Sequence, residues 1–263
     1  MTAGQALVTA PITIRSGAGH WLRSYAVMTR WELGSLRMFL PLVVAIQVVI
    51  GGGFAVGVGL LSDQMPTRAV LYLSTGVAVV TLITVGLVMS PQLVANHKTA
   101  GTYDFMWSLP VPRTTQAAAW VTVNSVIALP GMVAALLIAN WRYDLPLQVS
   151  VSILPAVLLT IVTATMVGYA FAHAIRKPMI TQLITTLVSF VILGFAPINF
   201  PPENLPGWLA DLNLYLPFYH MAVVMRGGLT EGLVTDVGIS YLVLGVYTVA
   251  SVAVAAWVVG RRD

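Results

Sequence analysis

What most constrains this chain is the placing of its few charges. Only 8% of its 263 residues are charged and 58% are hydrophobic. The charges bound six apolar runs, at 38–61, 69–95, 116–139, 149–173, 179–195 and 237–259. A helix needs roughly 20 apolar residues to cross bilayer hydrocarbon; each run is long enough, the fifth barely. Continuous runs argue against a barrel, whose strands alternate, and the composition excludes an ordinary soluble domain. The expected fold is an all-α membrane protein with six transmembrane helices.

A six-span path sorts the basic residues. Arg15, Arg23, Arg30, Arg37, Lys98, Arg113, Arg176, Lys177, Arg261 and Arg262 fall on one side, and Arg68, Arg142 and Arg226 on the other. The positive-inside rule makes the richer side, with both termini, cytoplasmic. The net charge of +4 then reflects topology and not nucleic-acid binding, because no dense basic patch exists. With no cysteine there is no disulfide or thiol chemistry. No apolar core runs from Met1 to Ser16, so no signal peptide is expected and the first span is retained.

Residues 1–19 read as a polar, mobile cytoplasmic tail. In residues 20–38, Arg23, Arg30 and Arg37 recur every seven positions, opposite Trp21, Tyr25, Met28 and Leu36, with Glu32 among the latter. This is either an amphipathic helix lying in the interface or a plain extension of the first span, and the aromatic–basic division favours the first. Residues 39–263 form a single six-span domain. Pro41 suits a first helical turn, and Pro130 and Pro155 are expected to kink the third and fourth spans. Gly53 and Gly57 have the spacing for close helix approach, within this chain or with a second copy. Residues 196–236, broken by Pro197, Pro201, Pro202, Pro206 and Pro217, are too interrupted to span and too apolar for a free loop. They read as an outer re-entrant hairpin between the fifth and sixth spans.

Signs of catalysis are sparse. No phosphate-cradling Gly-rich loop occurs, so the chain should not hydrolyse ATP itself. His20, His97, His173 and His220 never pair at metal-ligand spacing, and His220 reads as a hydrogen-bonded packing residue. Ser240 of Gly238-Ile239-Ser240 has no histidine in a later span to activate it, and Asp104 and Asp144 lie in loops. Within the spans the polar candidates are Gln47, Gln92, Asn124 and Gln182 with several threonines, serving interhelical hydrogen bonds or a translocation path. The spans contain no carboxylate away from their ends to offer protons or sodium a coupling site. Energy for uphill transport should therefore come from another subunit.

The loop 96–115 is the candidate contact. Gly101, Thr102, Tyr103 and Asp104 read as a helix start with Thr102 as N-cap. Phe105, Met106, Trp107 and Leu109 then offer apolar surface, to a cytoplasmic partner or to the membrane and the first helix, with the partner favoured. Pro110 and Pro112 end the element, and Arg113 re-enters the membrane.

From about His20 onward the pattern resembles the membrane subunits of type-2 ABC exporters. Their amphipathic elbow helix with a basic–acidic pair is matched by Arg30, Glu32, Leu33, Arg37 and Pro41. Their coupling helix is matched by Gly101, Thr102, Asp104, Pro110, Pro112 and Arg113. Their proline-rich outer hairpin is matched by Pro201, Pro202, Leu205, Pro206, Trp208, Leu216, Pro217, His220, Arg226 and Gly232. One departure is that Thr99-Ala100, not an acid, precede Gly101, so His97, Lys98 or Asp104 would make the polar contact to the motor. The resemblance implies a multi-pass permease of the plasma membrane, with ATP and Mg on a cytoplasmic ATPase partner and no cofactor of its own. It further implies a second permease copy or paralogue, an extracellular gate, and cargo drawn from drugs, antibiotics, lipids or glycans. The other reading of the same residues is a membrane scaffold that moves nothing.

Overall fold

The computed structural model describes residues 17–62 and 66–260. Residues 1–16, including most of the expected tail, lie outside that description, as do Arg261 and Arg262. Among the described residues the chain is all-helical. In order it forms α1 (Ala18–Leu36), α2 (Leu40–Ser62), α3 (Thr67–Ile83), α4 (Ser90–Thr99), α5 (Thr102–Ser108) and α6 (Arg113–Tyr143). Then follow α7 (Ile153–Ala174), α8 (Pro178–Phe195), α9 (Gly207–Asn213), α10 (Pro217–Leu229) and α11 (Val237–Gly260).

The six apolar runs appear as α2, the continuous α3–α4 pair, α6, α7, α8 and α11. Five of these are long and apolar enough to cross a membrane, and α2 joins α1 across a 78° bend. That bend lays α1 across the end of the bundle. Its Ser24, Met28 and Glu32 are buried at successive fourth positions, while Arg23, Arg30 and Arg37 are exposed. Trp21 Nε1 donates to Thr114 Oγ1 at 2.9 Å, and the Tyr25 and Thr122 hydroxyls meet at 2.7 Å. Both contacts pin α1 to α6.

The most enclosed span is α3–α4. Its middle, Thr84–Met89, is a π-helical turn that ends two residues before Pro91. A proline in a helix lacks an N–H and crowds the carbonyl four residues earlier. The wider π turn takes up that misfit, and it leaves Gly86 against α7. A Cβ on Gly86 would lie 2.7 Å from the Thr165 backbone nitrogen, and one on Gly168 would run into the Gly86 carbonyl. The sequence reading missed this feature and expected a kink at Pro155 instead. Pro155 is the third residue of α7, in the first turn, where proline is tolerated.

Close approach of α2 to α6 uses Gly51, whose Cβ would sit 2.6 Å from the Gly131 carbonyl oxygen. Gly53 and Gly57 have open space around them, so among the described residues that pair makes no close helix contact. α8 and α11 turn apolar faces outward, with Leu183, Leu187 and Phe190 on one and Leu242, Val246 and Val249 on the other. The 31 residues of α6 separate the two ends of the bundle by about 45 Å. One end carries α5; the other carries the α9–α10 hairpin.

Candidate functional site

At its own end of the bundle, α5 hangs between the end of α4 and the start of α6. Gly101, at φ 74°, takes the left-handed conformation that closes α4 and opens α5. Thr102 is the first helical residue, not the cap. Its Oγ1 donates back to the His97 carbonyl at 3.3 Å.

The two faces of α5 differ sharply. Tyr103 and Met106 are buried and Trp107 is half-buried, whereas Thr102, Asp104 and Phe105 are exposed, Phe105 by 52%. The expectation that Phe105, Met106 and Trp107 all face out is therefore corrected. Positions 103, 106 and 107 share one side of a 3.6-residue helix, and that side faces α7. There His173 lies 5.6 Å from the Tyr103 ring and 6.1 Å from the Trp107 ring, and its ring meets that of Tyr169 at 3.9 Å with a 36° tilt.

Two cations fasten this root. Lys98 Nζ donates to the Ala172 and Ile175 carbonyls at 2.5 and 2.7 Å, at the C-terminus of α7. The Arg113 guanidinium covers the Trp107 ring at 4.3 Å and donates to the Trp107 carbonyl at 3.0 Å. Pro112 precedes α6 and Pro110 is exposed in the link. α5 is thus a short knob whose base is locked to α4, α6 and α7. A force applied to it is passed to three helices at once.

α1 reaches the same knob through Trp31, whose ring is 5.9 Å from Phe105. The expected basic–acidic pair on α1 is split. Arg30 and Arg37 are exposed, while Glu32 is 1% exposed, because residues two apart point about 200° apart on a helix. Glu32 Oε1 has no hydrogen-bond partner. Burial pushes its carboxyl up to about 7.

The hairpin end holds the second group of expected site residues. Pro217 opens α10, which is buried between α3, α7 and α11. Pro201 is half-buried and Pro206 exposed, each leading into a helical turn. His220 is hydrogen-bonded at both ring nitrogens, to Ser240 Oγ at 3.1 Å and the Leu214 carbonyl at 2.9 Å. Arg226 is wholly buried. Its guanidinium lies 3.5 Å over the Tyr72 ring and donates to the Tyr72 carbonyl at 3.3 Å and to the Ile198 carbonyl. Arg226 therefore ties α10 to α3 and to the segment after α8. Beside this tie opens a cavity of about 560 Å³ bordered by Arg68, Tyr72, Pro201, Glu203 and Tyr219.

Sequence reasoning sought a base for Ser240 only in later spans and so missed His220, which precedes it. The pair is 2% and 5% exposed, with His220 Nε2 turned to a carbonyl. It latches α10 to α11 and presents no open nucleophile.

The three polar path candidates do not converge. Gln47 and Asn124 are each 1% exposed. Gln47 Nε2 approaches Met89 Sδ at 2.8 Å, and neither amide atom of Asn124 has a partner. Gln182 lies on the exposed face of α8.

Residues 52–257 match the sequence pattern of the family described as ABC-2 family transporter protein. The chain belongs to that family. It is the multi-pass membrane permease component of an ABC transporter, and such a permease works with an ATP-binding subunit. No curated protein matches the chain.

Proposed function

We propose that this permease is half of an ATP-driven exporter, paired with a second permease copy or paralogue and with a cytoplasmic nucleotide-binding ATPase. The observation that carries the reading is the division of α5 into a locked base and an exposed tip. Thr102, Asp104 and Phe105 would seat in the ATPase. Gly101, Trp107, Pro110, Pro112 and Arg113 would hold the tip rigid on the bundle. Closing of the ATPase would then move α4, α6 and α7 as a body, a rigid-body alternation. In this reading ATP and Mg belong to the partner.

The α5 end is cytoplasmic, with both termini, in agreement with the ten-to-three division of basic residues. The hairpin end is the extracellular gate. Pro201, Pro206 and Pro217 set its turns, and His220 and Arg226 anchor it to α11, α3 and the segment after α8. Arg30, Glu32 and Arg37 belong to the elbow, which braces the knob through Trp31. The spans carry no acid or base away from their ends, which favours an amphipathic or lipophilic cargo over a small ion. Gln47, Asn124 and Gln182 would meet cargo only in a conformation that opens the bundle.

The test is co-purification with the ATPase subunit from native membranes. Phe105→Ala and Asp104→Lys should each reduce ATPase recovery while the permease still inserts. Unchanged recovery with both variants would refute the coupling role and leave the scaffold reading in its place.

A further inference from the structure

Away from the knob tip and the hairpin, α1, α6, α7 and α11 enclose an apolar groove of about 470 Å³. Ala118 and Val121 of α6, Met166 of α7 and Val252 and Ala256 of α11 wall it. Trp21 and Arg113 stand at one end. We infer that this groove holds an acyl chain of a membrane phospholipid, with the lipid phosphate at the Arg113 end.

Depth, shape and charge converge on that occupant. Along α6 the groove runs from Arg113 to Thr122, and along α11 from Val252 to Gly260. Nine helical residues cover about 14 Å, close to the roughly 15 Å of hydrocarbon in one leaflet. The groove therefore starts where the spans leave the headgroup zone and ends near the bilayer centre. Its roof is α1, fixed across it by the Trp21–Thr114 and Tyr25–Thr122 hydrogen bonds. Its rim is formed by Val252, 43% exposed, and by the exposed Ala256, both on the lipid-facing side of α11. Small side chains at 118 and 256 leave the width of a single chain. Among the described residues the lining holds one cation and no acid, and Trp21 and Tyr25 stack at 5.5 Å beside it, the aromatic–basic setting of a headgroup. A bound chain would join α1 to α11, which otherwise meet mainly through α6 and α7.

The experiment uses the full chain with its ATPase subunit in nanodiscs containing phosphatidylglycerol with a photoactivatable acyl chain. Labelled peptides are mapped, with the exposed face of α8 as the measure of ordinary surrounding lipid. Residues 114–122 and 252–260 should label in preference to α8. Ala256→Phe, at the exposed rim, and Ala118→Leu, deeper in, should each cut groove labelling about tenfold, the effect of displacing two buried methylenes. Labelling of α8 should not change. A diacylglycerol probe with the same tail but no phosphate should label the groove less. Groove labelling equal to that of α8 and indifferent to both variants would overturn the proposal. So would equal labelling by the two probes, or occupation of the groove by a second copy. The readout involves neither transport nor ATP turnover, so its outcome is separable from that of the export reading.

Discussion

Replacing Glu32 with glutamine isolates the energetic consequence of burying an acid under the elbow helix. Glu32 is 1% exposed and its Oε1 lacks a partner. Burial lifts its carboxyl from 4.5 to about 7. The folded chain thus holds a proton that the unfolded chain has released across that interval. Where the folded state binds more protons, stability falls as pH rises. The stabilisation is fully present below pH 4.5 and is lost as pH rises through about 7. At about 1.4 kcal/mol per pH unit, the interval corresponds to about 3 kcal/mol. Glutamine has the same shape and cannot ionise. Thermal unfolding of both proteins in one detergent, from pH 4 to 8.5, should therefore give nearly coincident stabilities at pH 4. Above pH 7.5 the variant should be the more stable by about 3 kcal/mol. Parallel pH profiles would show that Glu32 is not held neutral by burial, and would refute the packing of α1 described above.

Gly168→Ala should cost about 1–3 kcal/mol, because a Cβ there meets the Gly86 backbone; Gly57→Ala, with open space around it, should be neutral in the same unfolding assay. Arg226→Ala should destabilise by orphaning the Ile198 carbonyl, at about 1–3 kcal/mol, and by uncovering the Tyr72 ring; the Tyr72 carbonyl keeps the Thr75 hydroxyl. Arg226→Lys should restore only part of this, since an ammonium lacks the planar fork that serves both carbonyls and the ring; full stability of the alanine variant would remove Arg226 as an anchor. Ser240→Ala should lose about 1 kcal/mol with transport retained, and selective loss of activity in a well-folded variant would instead mark Ser240 as a reactive group.

The spans were legible because a bilayer imposes one requirement, an uncharged run of fixed length, and charges mark its ends. The ends of α2 and α11 fall within two residues of the positions read from sequence. The elbow was legible from the seven-residue recurrence of arginine. What the sequence concealed depends on partners distant along the chain. Trp107 looks like exposed apolar surface until His173 and Arg113, from two other helices, cover it. Arg226 looks like a surface cation until the Tyr72 ring and two carbonyls replace its water. Ser240 looks unpaired because its histidine comes earlier in the chain. The π turn has a local cue in Pro91, but a proline in an apolar run is equally compatible with a simple kink.

In the proposed mechanism, drive reaches this bundle through the tip of α5 from a separate ATPase on the cytoplasmic side. The chain contains no cysteine, so Phe105→Cys supplies a unique thiol at that tip. Its labelling by a membrane-impermeant maleimide should be compared between inside-out and right-side-out vesicles, with and without the ATPase subunit. The proposed mechanism requires labelling in inside-out vesicles alone, with protection once the ATPase is bound. Labelling from the outer face, or labelling that the ATPase leaves unchanged, would contradict it.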